Sequence, residues 1–158
     1  MRLRTVPAFA VICLALTGCS IKQTVTPVAL PSTHSPEICT IPAEGLREGF
    51  NTTYTAQLRS KGFRTRQLPP GSPPASCALS TTYIGKWSWD MALYMSFADI
   101  QVFEDGRNVG QALYDSTSGG ARIAKFIDAQ SKIIEMTDQL FPNASYGIDR
   151  ATNAPSPD

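Results

Sequence analysis

The sequence predicts an α+β fold, a two-layer sandwich with a mixed, mostly antiparallel sheet of about five strands and two helices on one face. Three observations predict it. Leu46, Phe50, Tyr54 and Leu58 recur every four residues within a polar stretch, the stripe of an amphipathic helix. Residues 81–116 are rich in β-branched and aromatic side chains and contain Asp105-Gly106, a strong hairpin signal. A second amphipathic run follows and ends at Pro142.

In chain order, residues 1–18 read as a secretory signal. Arg2 and Arg4 precede an apolar run from Val6 to Leu16, which is shorter than the roughly 20 residues needed to span a bilayer. The run ends in Leu16-Thr17-Gly18-Cys19, the pattern of a bacterial lipobox. Small residues at 17 and 18 let an extended chain enter a peptidase cleft, and Cys19 supplies the thiol that takes the lipid. Residues 19–36, without periodicity, read as a tether; the alternative, an edge strand through Val25–Leu30, is disfavoured by Pro27 and Pro31. The folded domain is expected over 37–141 and a flexible tail over 142–158.

Within the domain, residues 37–41 form a short strand carrying Cys39. Pro42 opens a helix over 43–61, and Gly62 suits the position after a helix where φ is positive. Residues 63–68 return as a strand, completing a βαβ unit. The run Pro69-Pro70-Gly71-Ser72-Pro73-Pro74 is a stiff surface loop with Cys77 beyond it. Residues 81–89 alternate, placing Tyr83, Gly85, Trp87 and Trp89 on one face. A turn at 90–92 leads into a strand at 93–104, apolar on both faces near its start as an inner strand would be. Residues 109–116 pair with it, and the second helix occupies 121–141.

Cysteine usage follows the exported reading. Cys13 leaves with the signal and Cys19 is acylated, so Cys39 and Cys77 remain as one pair in an oxidising compartment and are expected to be bridged. A lone pair is too few for a structural zinc site, and His34, the single histidine, lies in the tether. No metal or other cofactor is expected. Of 14 basic side chains, Arg2 and Arg4 leave with the signal, so the mature chain carries 12 against 13 acidic ones. With no basic stripe, nucleic acid is not an expected partner and the membrane contact falls to the lipid on Cys19. Ser20, where aspartate would retain a Gram-negative lipoprotein in the inner membrane, suggests sorting to the outer membrane, facing the periplasm.

The strings Arg47-Glu48-Gly49-Phe50, Lys61-Gly62-Phe63, Leu68-Pro69-Pro70-Gly71, Trp87-Ser88-Trp89-Asp90 with Leu93-Tyr94-Met95, Ala112-Leu113-Tyr114-Asp115 and Lys125-Phe126-Ile127-Asp128, behind a lipobox, resemble the Sbal-type family of uncharacterised proteobacterial lipoproteins. The resemblance spans about 37–141. It implies a lipoprotein with one domain and carries over no catalytic residue.

Side chains with candidate chemistry each have a plainer reading. Trp87 and Trp89, with Tyr83 and Tyr94 nearby, could form a stacking platform for a glycan or a partner, or the core face of the sheet. Asp90 and Asp99 could be a carboxylate pair. The simpler reading makes Asp90 a turn residue and pairs Asp99 with Arg64, Arg66 or Lys86. Residues 116–120 could hold an anion at a helix start, but lack the Lys-Ser or Lys-Thr of a P-loop. With His34 in the tether no serine has a histidine partner. The expected function is therefore that of a non-enzymatic envelope lipoprotein, binding an envelope protein as an accessory of assembly or transport. The rival is a glycan- or small-molecule-binding module with contacts at Tyr83, Trp87, Trp89 and Asp90.

Overall fold

A computed structural model describes residues 21–29, 37–118 and 128–142. The elements are β1 (Lys22–Thr26), β2 (Glu37–Pro42), α1 (Glu48–Ser60), β3 (Arg64–Gln67), a 3₁₀ turn (Pro74–Ser76), β4 (Leu79–Asp90), β5 (Ala92–Glu104), β6 (Arg107–Asp115) and α2 (Ala129–Leu140). The strands form one six-stranded sheet in the order β1-β6-β5-β4-β2-β3. β2 runs parallel to β3 and to β4, and the remaining pairs are antiparallel. The fold is thus the expected mixed sheet with two helices, with one strand more than the sequence suggested.

The additional strand is β1, inside the segment read as a tether. Lys22 to Thr26 pair antiparallel with Asp115 to Gln111. Its side chains alternate between exposed and half-buried, and the inward ones are Gln23 and Val25. Gln23 is held by α2. Its amide nitrogen donates to Glu135 Oε1 at 2.9 Å and to Gln139 Oε1 at 3.0 Å, while Lys132 Nζ donates to its oxygen at 3.1 Å. A polar residue thus takes an inward position that an apolar pattern would have marked. Val28 then enters the core, with its amide donating to Leu140 O.

Both helices lie on one face. Facing them are Thr81 and Tyr83 of β4, Ala98, Ile100 and Val102 of β5, and Ala112 and Tyr114 of β6. Phe50, Tyr54 and Leu58 come from α1, and Ile133, Met136 and Leu140 from α2. Gly110 sits where any side chain would collide with Val28. Lys61 and Gln57 both donate to Asp138, tying the helices together.

Helix ends follow local chemistry. α1 starts later than expected, because β2 remains extended through Pro42 and Ala43 donates to Tyr83 O. Leu46 therefore packs against the core from ahead of the helix. At the other end Gly62, with φ of 89°, donates to Arg59 O while Phe63 donates to Leu58 O. These two bonds are the Schellman arrangement that glycine favours. α2 begins at Ala129, capped by Asp128, whose carboxylate accepts from Ser131 N at 2.9 Å. Of the helix expected over 121–141, α2 covers Ala129–Leu140, and the stretch 121–127 lies outside the described residues. The hairpin at Asp105 and Gly106 forms with both φ angles positive, 48° and 78°, as Asp-Gly favours.

The Lys132 ammonium, 2.5 Å from Glu135, holds that carboxyl below the ordinary glutamate value of 4.5, helped by Gln23. A carboxyl depressed in the folded state stabilises above its unfolded pKa, and that contribution is lost as pH falls through the folded value. Glu135→Gln should therefore flatten the acid limb of the stability profile below about pH 4.5. Lys132 is buried but the Glu135 carboxylate is exposed to solvent that screens it, so the effect should be a few tenths of a kcal/mol, read by urea titration across pH.

Candidate functional site

Alternation along β4 places Tyr83, Gly85, Trp87 and Trp89 on the helix-facing side, as the sequence suggests, but the structure divides the row. Tyr83 is core at 2% exposure. It stacks on Phe50 with ring centroids 5.9 Å apart, and its hydroxyl donates to Asn51 Oδ1 at 2.5 Å. Burial pushes its phenol up to about 12. Tyr54 stands edge-on to it at 4.7 Å, its own phenol also raised by burial, and shares a hydrogen bond with Thr81 Oγ1 at 2.8 Å. Both phenols stay neutral at physiological pH and serve as packing.

Trp87 is half-buried and forms the floor of a groove. Its ring meets Phe50 edge-on at 6.2 Å, and the Arg47 guanidinium lies 5.3 Å from its centroid. The groove, about 480 Å³, is lined by Arg47, Phe50, Trp87, Gln130 and Ile133 and opens between the starts of the two helices. Gly85 makes the ring packing possible, because a Cβ there would stand 2.8 Å from both Phe50 and Trp87. The groove offers an aromatic face with a cation above it, which suits stacking and hydrogen bonding to a polar ligand.

Trp89 belongs to a different feature. β2 pairs with β4 only as far as Tyr83, and β6 pairs with β5 only from Phe97 onward. Beyond those points β4 and β5 continue as a two-stranded arm, bent where the register shifts between Lys86 and Trp87. At its tip Trp89 is 74% exposed, Met91 89% and Leu93 50%. Trp89 and Leu93 are cross-strand partners on one face. Met91 joins Asp90 to Ala92 with φ of 60°, a left-handed conformation that costs an L-residue about 1–2 kcal/mol and that glycine or asparagine adopts more readily. A long apolar side chain is thus carried in the most exposed and least favourable place on the arm. Turns are usually polar, and the apolar Met91-Ala92-Leu93 run is the signal that sequence reasoning passed over. β5 is the inner strand expected, lying between β6 and β4, but its apolar start runs past the end of β6 and belongs to the arm.

The carboxylate pair does not form. Asp90 is at the tip and Asp99 lies opposite Ile84, six residues back along β4, roughly 20 Å by strand rise. Nor does Asp99 meet the expected cations. Gln101 and Gln111 amides donate to its two oxygens at 2.8 Å each, on the sheet face away from the helices. Arg66 instead donates to Glu37 at 3.1 Å and to Cys77 Sγ at 3.2 Å. Cys39 and Cys77 are bridged, with Cα atoms 6.3 Å apart. The bridge pins the proline-rich loop to β2. Cys19 and His34 lie outside the described residues, as does the end of the 116–120 turn. Among the described residues no group of three or more metal-ligating side chains comes together.

No family model matches the chain, and no curated protein matches it. Solved structures do. A single-substitution variant of the PelC dodecamer from Paraburkholderia phytofirmans is similar over 80% of this chain and 99% of that chain, with a TM-score of 0.54 and 11% identity. A second crystal form of the PelC dodecamer covers 80% of this chain and 96% of that one at a TM-score of 0.45 and 13% identity. At such identity the first likeness shows fold alone: this chain is similar in fold to the PelC subunit across nearly all of that subunit's length.

Proposed function

We propose that the chain is an exported lipoprotein of the Sbal-type kind, cleaved after residue 18 and acylated on Cys19. Its domain then acts in the cell envelope as a non-enzymatic binding or accessory component of an assembly or transport system. The observation that carries this reading is the projecting β4–β5 arm. Its exposed Trp89, Met91 and Leu93 form an apolar contact surface of the kind that marks a membrane or protein interaction site. Self-association belongs to the same reading, since the PelC subunits of similar fold assemble as dodecamers.

Metabolic labelling with a fatty-acid analogue tests the anchor. Wild-type protein should be labelled and membrane-bound, and Cys19→Ala should be unlabelled and either released or stalled with its signal attached. Label on Cys19→Ala would refute the assignment. Fractionation of the same cells should place the wild type with outer-membrane markers, because residue 20 is serine.

A second reading is favoured by the groove at Trp87. An aromatic floor beneath Arg47 fits a glycan or another small polar ligand better than the exposed Trp89 does. Titration with envelope oligosaccharides should then change Trp87 emission, and Arg47→Ala should abolish the change. Unaltered emission throughout would dismiss this second reading.

A further inference from the structure

We propose that the tip of the β4–β5 arm seats in the interface of the bilayer to which Cys19 is anchored. The domain then stands on the membrane at two points, the lipid and the Trp89–Met91–Leu93 tip. The proposal rests on the lipidation of Cys19 and names the surface that the arm meets.

Strand register locates the two points. Lys22, the first residue of β1, lies opposite Asp115. Asp115 lies opposite Phe97, and Phe97 lies opposite Lys86. These residues mark one row across the sheet, at the end from which the arm projects. Only Ser20 and Ile21 separate Cys19 from Lys22. Even fully extended, that connection holds the acylated residue within about 10 Å of the row. Beyond the same row β4 runs on from Trp87 to Asp90, a reach of roughly 13 Å by strand rise. The leash and the arm are thus of similar length and leave the sheet at the same end. A long tether would have let the domain turn freely, but β1 removes that freedom by tying the chain into the sheet almost at once.

The chemistry of the tip fits an interface. Tryptophan is favoured at the level of lipid headgroups, where its ring is buried and its N–H remains hydrated. Met91 and Leu93 extend the apolar contact, and Met91 does so from a left-handed turn position. Lys22 and Lys86 are exposed in the marking row, placed to reach lipid phosphates with their ammonium groups. Asp90 beside the tip sets the depth, because a carboxylate resists transfer into hydrocarbon. The acyl chains supply the holding strength, and the tip supplies orientation.

The test uses the full-length lipidated protein in two kinds of vesicle, phosphatidylcholine and phosphatidylcholine brominated near the headgroup end of its acyl chains. Trp87→Phe leaves Trp89 as the sole tryptophan while keeping a ring against Phe50. Its emission should be several-fold weaker in the brominated vesicles and protected there from aqueous iodide. The same reporter in an unlipidated Cys19→Ala background without vesicles should be open to iodide. Because Trp89 is exposed, Trp89→Phe offers a second route that spares the core: the bromine-dependent loss seen in the wild type should disappear. Protein that floats with the vesicles while Trp89 emits equally in both kinds keeps its anchor and overturns the seated tip. Protection from iodide without vesicles also overturns it, by showing that a protein surface or a second copy covers the arm. Protein that fails to float refutes the lipid anchor itself, and the seated tip falls with it.

Discussion

Breaking the Cys39–Cys77 bridge should cost the fold several kcal/mol. The two cysteines are 38 positions apart, and closing a loop of that length lowers the entropy of the unfolded chain by an amount worth about 4 kcal/mol. For a domain of roughly 100 residues each kcal/mol moves the melting temperature by about 4–8 °C, so reduction should lower it by roughly 15–30 °C. Cys77→Ala should match the reduced protein, and the double substitution should add little to either single one, because each removes the same bond. Cys39→Ala should cost slightly more than Cys77→Ala. Cys39 is fully buried at the centre of the β2 pairing, so its loss also leaves a small void. Thermal denaturation with and without reductant reads these differences. Native, oxidised protein should present no reactive thiol at either position. Ready labelling of both would refute the bridge and the docking of the proline-rich loop on β2 that depends on it.

Phe50→Ala should be comparably damaging. The Phe50 ring is buried in the first turn of α1, stacked on Tyr83 and edge-on to Tyr54 and Trp87. Removing it takes away the contact that holds α1 to β4 and leaves a void beside Gly85, which has no side chain to fill it. Phenylalanine-to-alanine changes at such sites cost about 3–5 kcal/mol, a large share of the roughly 5–15 kcal/mol that stabilises a typical domain. Urea unfolding should show a lower midpoint with little change in slope. Trp87 emission should shift to the red as its buried edge is wetted. Leu93→Ala on the arm removes a side chain of similar character from a half-exposed position and should change stability by only a few tenths of a kcal/mol. If Leu93→Ala destabilised as much as Phe50→Ala, the arm would be part of the core and not a projection from it.

The hydrophobic period and a few special residues already carry most of the architecture. Residues 50, 54 and 58 identify α1, and Gly62 terminates it through a left-handed angle that few other residues adopt cheaply. Asp105-Gly106 dictates its hairpin for the same reason. The pairing of Cys39 with Cys77 follows from counting cysteines in an exported chain. Such features are local, or depend on composition, and so are legible before any contact is known.

Other features depend on partners distant in sequence. β1 presents Gln23 inward, and a glutamine becomes an acceptable inward residue only when Glu135, Gln139 and Lys132 are brought beside it from more than a hundred positions away. Ile21 and Val25 sit on the same side, but the glutamine between them and Pro27 after them break the apolar alternation, so the strand looks like a linker. Trp87 and Trp89 share a face and a residue type, yet one lines a groove and the other is exposed. The difference is where the neighbouring strands stop: β2 at Tyr83 and β6 at Phe97. Sequence alone establishes which side of a strand a residue occupies, because alternation is a property of the backbone. How far along that strand other elements extend to cover it is settled by the lengths of β2 and β6 and the seating of α1 and α2. At this protein's candidate site, that coverage separates a packed ring from an exposed contact.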